Sequence, residues 1–368
     1  MGADDHRLDT FELNFHKVAD ITASHFTRPE PRNRALQYVR ALADPEVRKT
    51  ANGIANSLGE KRADGLQRML SSAAWDADAV RDALQAHLLG GSAGNVRVFG
   101  AAEYNFIKKG ASSVGVGPQY SRRTGRLENC QTGLFVVQTG NGADLIADRE
   151  LYLPEFWLKD KLKCCRTKIP HTVRYRSKEE SIMAMMRRIK QIRWYCDDWF
   201  VCTEPLDGKQ LATSLEHDEI PYVLQQPNCL QQLRMAGVSM DLLTRPSWTQ
   251  WVEKGAVHSQ WLRIRIPDSE VRPMRRWLLV ERVLPRRSDK LRTYRCFGPE
   301  HTDLETLVAV ALNGGSAART LAAACESVGL DAYEVRQWPS WYRHITLAML
   351  AHFCLNSAPA TAQPAKPA

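Results

Sequence analysis

The feature that most constrains the fold is a change of hydrophobic period at Val96. Before the Gly90-Gly91 pair, apolar residues recur at helical spacing; from Val96 they run or alternate as in strands. VRVFGAAEY predicts a buried strand. NCQTGLFVVQTGNGADLIADRELYLP predicts two strands around a turn at Thr139-Gly140-Asn141-Gly142. KEESIMAMMRRIKQIR, residues 178–193, predicts an amphipathic helix with a basic end, and DWFVCTE predicts a further strand. Strands, a helix and another strand in this order place the chain in the α/β class.

The flanking regions read differently. Residues 8–90 predict helices: Leu36, Tyr38, Val39, Leu42 and Ala43 follow the Pro29/Pro31 punctuation, and Ile54, Leu58, Leu66 and Leu70 continue the period. Asp76 is placed to cap DADAVRDALQAHLL. A plain helical bundle and a DNA-contacting bundle fit this segment equally. Residues 205–305 predict a β-rich region, with WLRIRI and RRWLLVERV as strands and RRSDKLRTYRCF as a charged hairpin. Residues 306–356 return to helices, and 357–368 form an Ala/Pro-rich tail expected to be disordered.

Composition narrows the setting. Fifty Lys+Arg against 41 Asp+Glu give a formal net charge of +9, which suits a polyanionic partner such as nucleic acid. The nine cysteines are scattered, with no C-x-x-C pair and no zinc spacing, as for reduced thiols in the cytoplasm. MGADDHRLDTFELNF is acidic and lacks the apolar run of a signal peptide. No membrane span is expected, so the chain is placed in the cytoplasm, away from membranes.

Several long strings are specific. IKKGASSVGVGPQYSRRTGRLENCQTG, RELYLPEFW and GLDAYEVRQWPSWYRHITLAMLAH, with RPEPRNRALQYVRAL, LQRMLSSAAWD and VRDAL before them, resemble one branch of the bacterial insertion-sequence transposases of the DDE superfamily, in order and spacing over roughly residues 26–355. The resemblance implies an RNase-H-like core over 93–204 and 306–356, an N-terminal helical region over 1–92 and a β-rich insertion over 205–305. It also implies a chemistry. Two Mg²⁺ ions, held by three carboxylates, would activate the attacking oxygen and stabilise the leaving one.

At the three acid positions implied by the resemblance the chain departs from it. Glu103, seven residues before the Gly of the KKG string, stands where the family usually has the first Asp. Its extra methylene displaces the carboxylate in a site where a 1 Å misplacement can cost about 100-fold. Thr203 stands at the second position and Ala318 at the third, with Cys325 where the family has Lys. A neutral hydroxyl is a poor ligand for a hard cation, and a methyl is none. A shifted set, Glu103 with Asp207 or Glu204 and with Glu326, is the alternative that would keep Mg²⁺ and activity. Without it, no metal or other cofactor is expected.

The reading is therefore a transposase-derived protein that binds double-stranded DNA without strand transfer, in regulation of gene expression or of a related mobile element. A homodimer is left open. The alternatives are an active metal-dependent enzyme with the shifted triad, and a fold recruited to a protein, a small ligand or unrelated chemistry. Lys108, Lys109, Arg122, Arg123 and Arg126, among glycines, are candidates to track a phosphate backbone. Arg187 and Arg188 are further candidates, although a solvated helix end explains them as well. Arg343 joins Trp338, Trp341, Tyr342 and His344 in a group that suits either DNA ends or an aromatic anchor for the last helix.

Overall fold

The computed structural model describes residues 3–90, 97–121, 124–139, 143–195, 198–203, 208–235, 237, 248–253, 256–266, 273–283 and 291–357. Five helices come first: α1 (Ala3–Ala23), α2 (Pro29–Ala43), α3 (Ala51–Ser57), α4 (Asp64–Ser71) and α5 (Ala77–Leu89). Strands β1 (Arg97–Ile107), β2 (Gly117–Ser121), β3 (Arg126–Thr139) and β4 (Leu145–Tyr152) follow, then α6 (Glu155–Lys159), α7 (Lys161–Arg166) and α8 (Lys178–Ile192). Next come β5 (Asp198–Cys202), α9 (Gly208–His217), β6 (Tyr222–Gln226) and α10 (Cys229–Met235). The strands β7 (Thr249–Glu253), β8 (Ala256–Ile266), β9 (Met274–Val283) and β10 (Leu291–Pro299) precede α11 (Leu304–Leu312), a 3-10 turn (Asn313–Gly315), α12 (Ser316–Val328) and α13 (Trp338–Asn356). This is the mixed α/β class, compatible with an RNase-H-like core.

The chain divides into two compact units. The first holds Met1–Asn95, Glu103–Trp194 and Ala317–Ala368; the second holds Val96–Ala102 and Tyr195–Ser316. In the first, the long strand β3 pairs antiparallel with β2 through its opening residues and with β4 through its later ones, and β1 is its other neighbour in the sheet. A bulge falls between Val136 and Val137. The helix α13 forms the centre of the unit and packs on α1, α2, α4, α5 and β4. Nearly every residue from Ser340 to Cys354 is buried, so this helix needs apolar residues on all sides rather than one stripe.

Local signals explain the element ends. The Asp76 carboxylate accepts from the Asp78 and Ala79 amides, as expected for an N-cap, and Val80 and Leu84 of α5 are buried. Ser177 and Glu180 form a reciprocal capping box at α8, whose Ile182, Met183, Met185, Met186 and Ile189 face inward. A network of ions lies behind β4. Asp148, fully buried, accepts from Arg81 and Arg188 at 3.0 Å each, and Arg149 reaches Asp78, Thr346 and the Ala77 carbonyl. These pairs join α5, β4, α8 and α13.

In the second unit, the first half of β1 runs parallel to β5, with Arg97 opposite Asp198 and Gly100 opposite Val201. The β6 strand runs parallel to β5 on its other side; β10, β9, β8 and β7 then continue antiparallel. The core of this unit gathers Val98, Trp199, Val201, Trp261, Trp277 and Tyr294 beneath Leu307 and Val310 of α11. The stretch expected to be β-rich thus contains α9 and α10 as well as strands. The string RRSDKLRTYRCF, expected to be a hairpin, holds one described strand instead: Leu291–Phe297 belong to β10, which pairs with β9, and residues 284–290 lie outside the described residues. The expectation that no stretch is long and apolar enough for a membrane span needs correction. Leu304–Val328 passes that test by length and composition, but 56% of its apolar window is buried, as in a core helix.

Candidate functional site

Glu103 lies inside β1 rather than at its end, since the strand continues to Ile107. Its side chain is only 5% exposed and its carboxylate accepts from the ammonium of Lys178 at 2.5 Å. Lys178 is the first residue of α8, fixed there by the capping box, and it also lies 5.6 Å from the centre of the Tyr152 ring. The first acid position therefore holds a carboxylate whose charge is already met by a cation of the chain. Burial is the main cause that raises the Cys130 thiol nearby; Glu103 adds to the rise and Lys178 opposes it.

Thr203 directly follows β5, the strand beside β1. Its hydroxyl donates to the Gly314 carbonyl at 2.9 Å. Gly314 sits so close that a Cβ added to it would stand 2.3 Å from the Thr203 Cγ2. The second position is thus neutral and its hydroxyl is committed to a backbone acceptor. A carboxylate there would meet the Gly314 carbonyl oxygen, two acceptors with no proton between them.

Ala318 lies exposed on α12, and so does Glu326, two turns further along the same helix. Cys325 faces inward enough to interact with the Tyr104 hydroxyl, which also donates to Asp331 at 3.0 Å. Asp207 and Glu204, the remaining candidates for a shifted set, lie outside the described residues. Among the described residues no group of three His, Cys, Asp or Glu side chains could hold a metal ion. The donor set at the positions that the resemblance implies, one paired carboxylate, one hydroxyl bound to a carbonyl and one methyl, does not fit two divalent cations.

The basic candidates separate into two kinds. Lys108 is turned inward: its ammonium lies 3.6 Å from the Tyr333 ring centre and 3.3 Å from the Tyr333 carbonyl. Burial lowers its pKa to about 8, against the pull of Asp331 and Glu334. Arg188 is held by Asp148 and Glu150, whose charges outweigh burial and keep it above its ordinary value. Arg343 donates to the carbonyls of Leu70, Ala73 and Trp75, and burial lowers it. These three serve the fold. Lys109, Arg126 and Arg187 are exposed, Arg126 with Glu128 at 2.7 Å. Arg122 and Arg123 lie outside the described residues.

Trp341, Tyr342 and His344 at the start of α13 are likewise internal, whereas Trp338 is half-buried. The Trp341 indole donates to Tyr333, Tyr342 donates to Glu150, and His344 sits between Tyr38 and the Leu330 carbonyl. Because a carbonyl can only accept, His344 carries its proton on Nε2, and its Nδ1 accepts from Tyr38. Burial lowers His344 to about 4.

One basic surface lies outside the candidates that motif and spacing single out. Between Lys159 and Arg176 there are seven Lys and Arg and one acid, Asp160. All seven side chains are exposed. The signal is the charge composition of the segment, which belongs to no motif and no regular period.

No curated protein matches the chain. Residues 23–198 match the family model described as DDE superfamily endonuclease. That span runs from the N-terminal helices through α8 to the first residue of β5, a little under half of the chain. It takes in Glu103 and ends before Thr203 and Ala318, so the similarity to a DDE superfamily endonuclease rests on the part of the chain that carries the first acid position alone.

Proposed function

We propose that this chain is a transposase-derived DNA-binding protein that neither cuts nor joins strands, and that it acts in the regulation of gene expression or of a related mobile element. The observation that carries the reading is the closed second acid position. Thr203 donates its hydroxyl to Gly314 and is packed against it, and it carries no charge to hold a metal. The Glu103–Lys178 pair and the exposure of Ala318 point the same way. A two-metal site gathers about four positive charges, which need several anionic ligands to offset their repulsion. The match to a DDE superfamily endonuclease and the net charge of +9 support duplex DNA as the partner.

One set of samples tests both halves of the reading. An end-labelled duplex is incubated with the protein in Mg²⁺ or Mn²⁺ over a range of salt. Native gels should show a complex that weakens several-fold for each doubling of salt, and denaturing gels of the same samples should show intact strands. A complex indifferent to salt, or cut strands, would contradict the proposal.

A further inference from the structure

We infer that the segment Lys159–Arg176 is the surface that receives the DNA backbone. The inference rests on the DNA-binding reading above and names its contact face. Seven Lys and Arg against Asp160 give this 18-residue stretch a net of six positive charges, out of +9 for the whole chain. Asp160, whose charge that net already counts, caps α7 by accepting the Lys163 amide at 3.0 Å. Lys159 is paired with Glu155 at 2.9 Å. Among the described residues, Lys161, Lys163, Arg166, Lys168, Arg174 and Arg176 form no ion pair with an acid. Arg174 donates to the carbonyls of His171 and Val173, but its charge, like that of the other five, is not met by an acid. Exposed cations concentrated this way on one segment are what a polyphosphate requires.

The cations stand on a fixed backbone. Trp157 is buried and its indole donates to the Val116 carbonyl at 2.8 Å. The Thr167 carbonyl accepts from the Trp338 amide at 2.8 Å, which ties the segment to the start of α13. Ile169 is buried, with its amide on the Cys164 carbonyl. Lys168, between them, holds a left-handed backbone with φ of 56°, a conformation that a lysine adopts only where its surroundings impose it. The surface is also concave. Lys159, Lys161, His171, Arg174 and Tyr175, with Glu155 as the one acid, line a cleft of about 620 Å³. A groove edged by Lys159, Lys161 and Arg174 can follow a backbone of regularly spaced phosphates, whereas Lys108, Arg188 and Arg343, also candidates from the sequence, are engaged by the protein's own groups.

The test uses the full chain and a duplex DNA of arbitrary sequence labelled with a fluorophore. Anisotropy is measured from low to moderate salt for the parent and for the variant Lys161→Gln, Lys163→Gln, Arg166→Gln and Arg176→Gln. These four side chains are exposed, and far-UV circular dichroism should be unchanged. For every phosphate the variant no longer neutralises, the slope of log K against log salt should fall by about 0.9. The expected result is a slope smaller by roughly two to four, with affinity lowered at least about tenfold near 100 mM salt. A second variant, Lys161→Arg with Lys163→Arg, keeps the charge and should bind as the parent does. If the parent binds in a salt-dependent way and the Gln variant binds equally well, the surface is wrong while the DNA-binding reading stands. If the parent does not bind duplex DNA at low salt, both fall. Binding of a matched RNA duplex in place of DNA would also overturn the assignment.

Discussion

Gly314→Ala probes the closed end of β5 most sharply. The added methyl would stand 2.3 Å from Thr203 Cγ2, more than an ångström inside normal contact, while Val201 Cγ2 at 3.6 Å would be an ordinary neighbour. Overpacking of this kind typically costs about 1–3 kcal/mol. Rotating Thr203 out of the way would break its 2.9 Å hydrogen bond to Gly314, worth about 1 kcal/mol, so relaxation gains little. Thr203→Ser removes the offending methyl and keeps the hydroxyl; alone it should cost at most about 0.8 kcal/mol, the value for a fully buried methyl, because Thr203 is half-buried. In the Thr203→Ser background, Gly314→Ala should then cost well under about 1 kcal/mol, giving a coupling of about 1–2 kcal/mol. Urea denaturation measures all four proteins, with tryptophan fluorescence reporting Trp199, Trp261 and Trp277 in this unit's core and circular dichroism checking that the transitions coincide. Equal destabilisation by Gly314→Ala in both backgrounds would refute the close packing of Thr203 on Gly314, and with it the physical basis for a closed second position.

Three other expectations follow from the first unit. Asp148→Ala should destabilise by about 3 kcal/mol or more, because Arg81 and Arg188 are left without a fully buried carboxylate; denaturant midpoints would show it, and an effect below about 1 kcal/mol would contradict the network's role. Lys178→Met should cost more in the parent than in a Glu103→Gln background, with a coupling of about 1–2 kcal/mol; additive effects would mean the pair is not formed. Acid should weaken the fold through His344 and His352, which burial lowers to about 4. Between pH 6.5 and 4 the unfolded chain binds the protons and the folded chain does not, so stability is present above that window and lost as pH falls through it, by up to about 1.4 kcal/mol per pH unit for each histidine. A flat stability profile over this window, or no change of slope on His344→Gln, would contradict the buried neutral histidines.

Much of the fold is legible in the sequence because the signals are local. The strands β1, β3, β4 and β5 and the helix α8 announce themselves by period, and Asp76 and Ser177 cap as their neighbours require. The helix α9 is harder to see: Leu211, Ala212 and Leu215 have helical spacing, but the surrounding strands suggest a uniformly β-rich stretch. The candidate site is legible only as positions. That Glu103 faces Lys178, and that Thr203 faces Gly314, depends on partners 75 and 111 residues away. The same limit applies to the arginines. An Arg beside other basic residues looks free in the sequence, but Arg188 answers Asp148 and Arg343 answers three backbone carbonyls, and neither partner is visible from a local window. The segment Lys159–Arg176 shows the reverse case, a charge run plain in the composition whose weight emerges only when Lys108, Arg188 and Arg343 prove to be occupied.

The central claim, a chain similar to a DDE superfamily endonuclease at whose acid positions two catalytic cations are not held, is tested most directly by strand cleavage under single-turnover conditions. Protein in excess over a labelled duplex, with Mg²⁺ or Mn²⁺ at millimolar concentration, should leave every strand intact at a level indistinguishable from Glu103→Gln. Metal-dependent cleavage by the parent that disappears on Glu103→Gln would contradict the account and show that the carboxylate set has been rebuilt around Glu103.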